Sequence, residues 1–169
     1  MTQATKTPTA SSFMNTQAKT IAPDLPLREI VQYLREHELS NVPVVDTQAG
    51  GQPLFLGFIT EADCLHYLAN EIFYGSPAPR YIAEMIMQRH PICVGPDVDL
   101  FELVSIFESH RLRHLPVLDG EKHLLGIVSR RDILHALHDY YENFLQKAES
   151  ERHPIDLRKL LNLRFFWQT

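Results

Sequence analysis

The chain has 169 residues, of which 44% are hydrophobic and 22% charged, and it carries a formal charge of -5 at neutral pH. That length and apolar content suffice for one compact core and leave no room for an attached catalytic domain. The acidic balance argues against the strongly basic face of a nonspecific nucleic-acid binder. No run approaches the ~18 apolar residues of a membrane-spanning helix, and two cysteines, Cys64 and Cys93, at no motif spacing predict a reducing, cytoplasmic setting without a disulfide framework.

The first twelve residues are rich in Thr, Ser and Ala with one Lys, which predicts a disordered tail over 1–12 and no secretory signal. From Thr20 onward the chain repeats itself. Thr20-Ile21-Ala22-Pro23-Asp24 returns 73 positions later as Cys93-Val94-Gly95-Pro96-Asp97, and Asn41-Val42-Pro43-Val44-Val45-Asp46 returns as His114-Leu115-Pro116-Val117-Leu118-Asp119. Between them Leu27, Ile30, Val31 and Leu34 map onto Leu100, Leu103, Val104 and Phe107. That i, i+3, i+4, i+7 stripe predicts one amphipathic helix in each copy, with Asp24 and Asp97 as N-caps. The apolar runs after Pro43 and Pro116 predict strands.

After Asp46 the offset falls to 69, because Thr47 to Leu56 holds four extra residues, a change that a hairpin loop absorbs. Gly57-Phe58-Ile59-Thr60-Glu61-Ala62-Asp63 then returns as Gly126-Ile127-Val128-Ser129-Arg130-Arg131-Asp132. Each phrase is an apolar strand that delivers a hydroxyl and, three residues later, a carboxylate at the start of a helix. Each copy thus reads strand, helix, strand, hairpin, strand, helix. A unit of about 60 residues buries only ~60% of its unfolded surface, so two units are expected to pack as one pseudo-two-fold α/β (α+β) module.

The expected boundaries are a first unit over 13–73, a linker with a short lead-in helix over 74–88, a second unit over 89–146 and an amphipathic tail over 147–169. Tyr81, Ile82, Met85, Ile86 and Met87 supply the apolar side of the lead-in helix as packing residues. Ile155, Leu157, Leu160, Leu161, Leu163, Phe165, Phe166 and Trp167 give the tail an apolar face interleaved with Arg158, Lys159 and Arg164. Packing on the module itself or across a dimer is the favoured role for that face, ahead of a partner-docking or membrane-surface helix.

A hydroxyl and a carboxylate at a strand-to-helix turn can face one ligand, while the free helix N–H groups favour an anion there. An ionised Asp only accepts hydrogen bonds, which suits the paired hydroxyls of a ribose. Thr60 or Ser129 then donates to a phosphate oxygen, and nearby arginines neutralise its charge. The competing reading is local: each Asp caps its helix and each hydroxyl bonds nearby backbone. Nine histidines supply no metal site, because His110 and His114 straddle a helix end and His135, His138 and Asp139 lack a fourth ligand. No nucleophile elbow or Gly-rich phosphate loop is present, and nothing reads as catalytic.

The tandem pattern, over roughly residues 13–142, resembles a pair of cystathionine-beta-synthase (CBS) domains, a Bateman module. The resemblance implies a non-enzymatic regulator with two clefts, each joining the Ser/Thr-x-x-Asp of one copy to the opening strand of the other. By position the first pocket takes Ser129, Arg130 and Asp132 with Thr20, Ile21, Leu39 and Asn41, with Arg131 as an alternative phosphate partner. The second takes Thr60 and Asp63 with Cys93, Val94, Leu112, Arg113 and His114. The implied ligand is AMP, ADP, ATP or S-adenosylmethionine as a regulatory molecule, with no required cofactor. The implied partners are a second copy of the chain and an unidentified regulated protein. The rival is an assembly module with empty pockets that acts through dimerisation and its tail. Cys93 stands where the family often has threonine, and Glu61 stands where the other copy has Arg130. Both departures favour the pocket of Ser129 and Asp132.

Overall fold

The computed structural model describes residues 7–47, 51–74 and 81–151. The repeated stripes form α2 (Leu27–Glu36) and α5 (Leu100–His110), preceded in the chain by a short α1 (Ala10–Phe13). Leu27, Ile30 and Leu34 are buried on one, and Leu100, Leu103 and Phe107 on the other. The caps differ from expectation. Pro23-Asp24 and Pro96-Asp97 sit at the centres of tight turns closed by Leu25 N–H to Ala22 O (3.3 Å) and Val98 N–H to Gly95 O (3.5 Å), where Pro presets the turn. The helices therefore begin later. Pro26 occupies the N-cap of α2 without a side-chain bond, and Asp99 caps α5 by accepting from the N–H of Phe101 (2.8 Å) and Glu102 (3.0 Å).

Both helices end in a left-handed residue, Glu38 (φ 52°) and Arg111 (φ 53°). Leu39 N–H then reaches back to Leu34 O (2.8 Å) and Leu112 N–H to Phe107 O (3.1 Å), which satisfies the last carbonyls and turns the chain into the strands. Hairpin β1 (Asn41–Asp46) with β2 (Leu54–Thr60) serves the first unit, and β3 (His114–Leu118) with β4 (Leu124–Ser129) the second. The opening strands expected at Thr20 and Cys93 shrink to single parallel bridges, Ile21 with Val44 and Val94 with Val117. The proline two residues later diverts the chain before more ladder can form. The second helices, α3 (Glu61–Tyr74) and α6 (Arg130–Glu151), pack against α2 and α5. The hairpin tips join the units, with Phe55 N–H to Lys122 O (3.0 Å) and Leu124 N–H to Pro53 O (3.0 Å), above an apolar cluster of Phe55, Phe58 and Ile127.

The lead-in helices belong to the repeat and cross over. Helix α1 precedes the first unit but packs on the second: Ala10 N–H donates to Val98 O, Ser11 N–H to Pro96 O and Asn15 N–H to Ile127 O, all at 2.9 Å. Helix α4 (Ala83–Ile86) precedes the second unit but packs on the first, through Ala83 N–H to Leu25 O (2.9 Å), Glu84 N–H to Pro23 O (2.8 Å) and Gln88 N–H to Phe58 O (2.9 Å). Ala10 and Ala83 are both fully buried. The disordered tail expected over 1–12 is thus corrected from Thr9 onward, because backbone bonds and the burial of Ala10 hold the segment in place. Helix α6 continues to Glu151, into the segment expected as the tail over 147–169. The expected tail from Ile155 to Trp167 lies outside the described residues.

Close approach of the lead-ins fixes two glycines. A Cβ on Gly57 would stand 2.7 Å from Gln88 O, and one on Gly126 would stand 2.8 Å from Asn15 O. The result is an α+β fold of two units, each completed by the lead-in of the other. Among the described residues no helix is long and apolar enough to cross a membrane.

Candidate functional site

Hairpin register builds the site. It sets Asn41 opposite Thr60 and His114 opposite Ser129. The two hairpin starts meet on the pseudo-two-fold axis, where Asn41 Nδ2 lies 2.6 Å from His114 Nδ1. An amide nitrogen only donates, so His114 Nδ1 accepts and the ring proton sits on Nε2. Burial pushes the His114 pKa below its ordinary value, opposed by the charge of Asp132 and assisted by Arg113 and Arg130. The ring is neutral at neutral pH.

Each phrase closes on itself in the same way. Asp63 Oδ2 accepts from Thr60 N–H (2.8 Å) and the Thr60 hydroxyl (2.6 Å), and Thr60 Oγ1 accepts from Asp63 N–H (3.3 Å). Asp132 Oδ2 accepts from Ser129 N–H (2.8 Å) and the Ser129 hydroxyl (2.6 Å), and Ser129 Oγ accepts from Asp132 N–H (3.2 Å). Both hydroxyl protons are therefore committed to a carboxylate and are not available to a phosphate oxygen in this arrangement. The second oxygens differ. Asp63 Oδ1 lies 3.5 Å from Gln88 Nε2, whereas Asp132 Oδ1 has no protein hydrogen-bond partner among the described residues.

Open clefts flank the Asn41–His114 pair. The first, about 610 Å³, brings together Leu39, Asn41, Ser129, Arg130, Arg131 and Asp132, and adds Lys19, Glu38 and Arg113. Thr20 and Ile21 do not line it. Ile21 is buried in the first core, where it bridges Val44, and the chain offers Ala18 and Lys19 to the cleft instead. The second cleft, about 640 Å³, brings together Thr60, Leu112, Arg113 and His114 but not Asp63, Cys93 or Val94. Val94 is drawn away by its bridge to Val117. The Cys93 thiol donates to Pro91 O at 3.4 Å, and burial raises its pKa to about 11. Arg130, expected at a phosphate, places Nε 3.1 Å and Nη2 2.5 Å from Leu112 O, where it holds the carbonyls beyond α5.

Sequence reasoning missed Gln88, His90 and Arg111 in the second cleft and Lys19 in the first. The offset of 73 relates Gln88 to Asn15, and Met14-Asn15 to Met87-Gln88. Extending the repeat upstream of Thr20 would have located Gln88. A third cavity of about 690 Å³ lies between α1 and α6, with Asp132 in its wall. Among the described residues no group of three or more His, Cys, Asp or Glu side chains is placed to hold a metal ion.

Comparison with known proteins gives the arrangement its kin. The chain is 28% identical over 141 residues to an uncharacterized 17.7 kDa protein of Acidianus ambivalens, covering 83% of this chain and 80% of that one. It is 30% identical over 126 residues to the inosine-5'-monophosphate dehydrogenase of Korarchaeum cryptofilum, covering 75% of this chain but only 24% of the dehydrogenase. Among solved structures, CBSX2 of Arabidopsis thaliana in complex with AMP superposes with a TM-score of 0.68 at 21% identity, over 79% of this chain and 98% of that one. The CBS domain pair of protein MJ0100, in complex with 5'-methylthioadenosine and S-adenosyl-L-methionine, gives 0.64 at 21% identity, over 79% and 98%. At that identity the likeness shows the fold. The CBS domain family matches residues 10–70 and 82–139, starting at the two lead-in helices, and the chain belongs to that family as a tandem pair.

Proposed function

We propose that the chain is a regulatory module that binds an adenine nucleotide beside the Asn41–His114 pair, foremost in the cleft of Ser129 and Asp132. One observation carries this reading. Asp132 stands in the wall of a cleft between the two units, with one carboxylate oxygen that has no partner among the described residues, beside the cationic side chains of Lys19, Arg113 and Arg131. A carboxylate that only accepts fits the hydroxyls of a ribose, and the cations fit phosphate. CBSX2 with AMP and the MJ0100 pair with adenosine derivatives support the ligand class.

The ligand contributes regulation only through different affinity for two arrangements of the units, and a cleft walled by both units supplies that difference. The output is non-catalytic and passes to a regulated protein. A second copy of the chain is the expected partner for the exposed stripes of α3 (Leu65, Ile72, Phe73) and α6 (Leu134, Tyr141, Phe144), because clusters of this kind are uncommon on monomers. The self-closed Thr60–Asp63 and Ser129–Asp132 caps favour the rival reading, an assembly module with empty pockets.

Thermal unfolding of the full chain with AMP, ADP, ATP, S-adenosylmethionine and NADH separates the two. A ligand at a hundred times its dissociation constant adds about 2.7 kcal/mol, and each kcal/mol raises the midpoint by roughly 2–4 °C. A rise with an adenine nucleotide that disappears in Asp132→Ala is expected. No rise with any of them at millimolar concentration would leave the assembly reading.

A further inference from the structure

We infer that the two clefts are unequal: the Ser129–Asp132 cleft takes a phosphorylated adenosine, one per chain, and Gln88, Glu61 and Ala62 close the other cleft to it. This rests on the nucleotide reading above and goes beyond it in assigning the occupancy and the residues that set it.

Three differences between equivalent positions point the same way. Gln88 and Asn15 are related by the offset of 73. Gln88 Nε2 reaches Asp63 Oδ1 at 3.5 Å, whereas Asn15 Oδ1 accepts from Gln17 N–H at 2.9 Å in a local turn and leaves Asp132 uncovered. The longer Gln88 side chain reaches its carboxylate while Asn15 is held in its own turn, and Asp132 lines its cleft while Asp63 does not. The second difference is charge. At the first two positions of the following helix Glu61-Ala62 stands where the other unit has Arg130-Arg131. A phosphate placed against the start of α3 meets a carboxylate, and against α6 it meets a guanidinium, so like-charge repulsion opposes the first and attraction favours the second. Third, Arg113 lines both clefts. A single guanidinium serves one phosphate at a time, and a nucleotide seated by Lys19 and Arg131 takes it. The second cleft keeps Arg111 and His90 beside the apolar Phe58, Leu65, Ile92 and Leu112, and has no counterpart of the Lys19 and Arg131 that line the first.

Isothermal titration of the full chain with ATP, and separately with AMP, tests this. The expected stoichiometry is one nucleotide per chain. Asp132→Ala and the cap-preserving Asp132→Asn are expected to weaken binding by about tenfold or more, and Asp63→Ala to leave it unchanged. The combined substitution Glu61→Arg, Ala62→Arg and Gln88→Asn, which copies the first cleft onto the second, is expected to add a second site. Two equal sites in the unsubstituted chain, loss of binding in Asp63→Ala, or no second site in the folded triple variant would overturn the inference while leaving the nucleotide reading standing. Absence of any binding would overturn that reading, and this inference with it.

Discussion

At the scale of single residues, the Asn41–His114 pair sets a measurable pH dependence. Burial lowers the pKa of His114 in the folded chain below the ordinary 6.5. The unfolded chain therefore binds the proton more readily, and stability falls as pH drops through 6.5 toward the lowered folded value. Urea midpoints at pH 7.5 and 5.5 are expected to show this loss in the unsubstituted chain and a smaller one in His114→Gln, which keeps a hydrogen-bonding partner for Asn41 but does not titrate. Equal losses in both proteins would remove His114 as the cause. Ser129 and Asp132 stand out in the sequence through the repeated phrase, and Leu39 and Asn41 join them in one cleft where the family resemblance, carried over by position, implied them. Thr20, Ile21, Cys93 and Val94 were misplaced for one reason: position in a repeat does not say which way a side chain points, and a single parallel bridge turns Ile21 into the core.

At the scale of elements, the crossed lead-ins make a sharper claim than the helices that carry the cores. Gly126→Ala forces a Cβ against Asn15 O at 2.8 Å, a backbone atom that cannot swing aside, and Gly57→Ala does the same against Gln88 O at 2.7 Å. Each is expected to cost about 1–3 kcal/mol, read as a lowered urea midpoint. Gly120→Ala, with nothing within 4 Å of the added atom, serves as the control and should leave the midpoint nearly unchanged. A further check is Asp99→Ala, which removes two N-cap bonds from α5 and is expected to cost about 1 kcal/mol, whereas Asp97→Ala should cost less. The stripes of α2 and α5 could be read from sequence because ten or more residues show a helical period. Of the four-residue helices, α4 is announced by the near-helical spacing of Tyr81, Ile82, Met85 and Ile86, whereas α1 shows no such period. Their packing is also non-local, each on the unit that does not follow it, so the Thr- and Ser-rich composition before Phe13 gave no sign of order.

At the scale of the whole molecule, two units related by repeat enclose clefts that neither forms alone, and their exposed apolar stripes lie at equivalent places. Leu65 and Leu134, exposed by 69% and 63%, are related by the same offset as Thr60 and Ser129. Sedimentation equilibrium is expected to show a dimer that Leu65→Glu combined with Leu134→Glu converts to monomer; a monomeric unsubstituted chain would remove this interface. A crystal structure of the full chain grown with ATP tests the nucleotide site. The expected density is a nucleotide whose ribose hydroxyls contact Asp132 and whose phosphates lie near Lys19, Arg113 and Arg131. A nucleotide bound away from Asp132, or an empty Ser129–Asp132 cleft at saturating ATP, would contradict it.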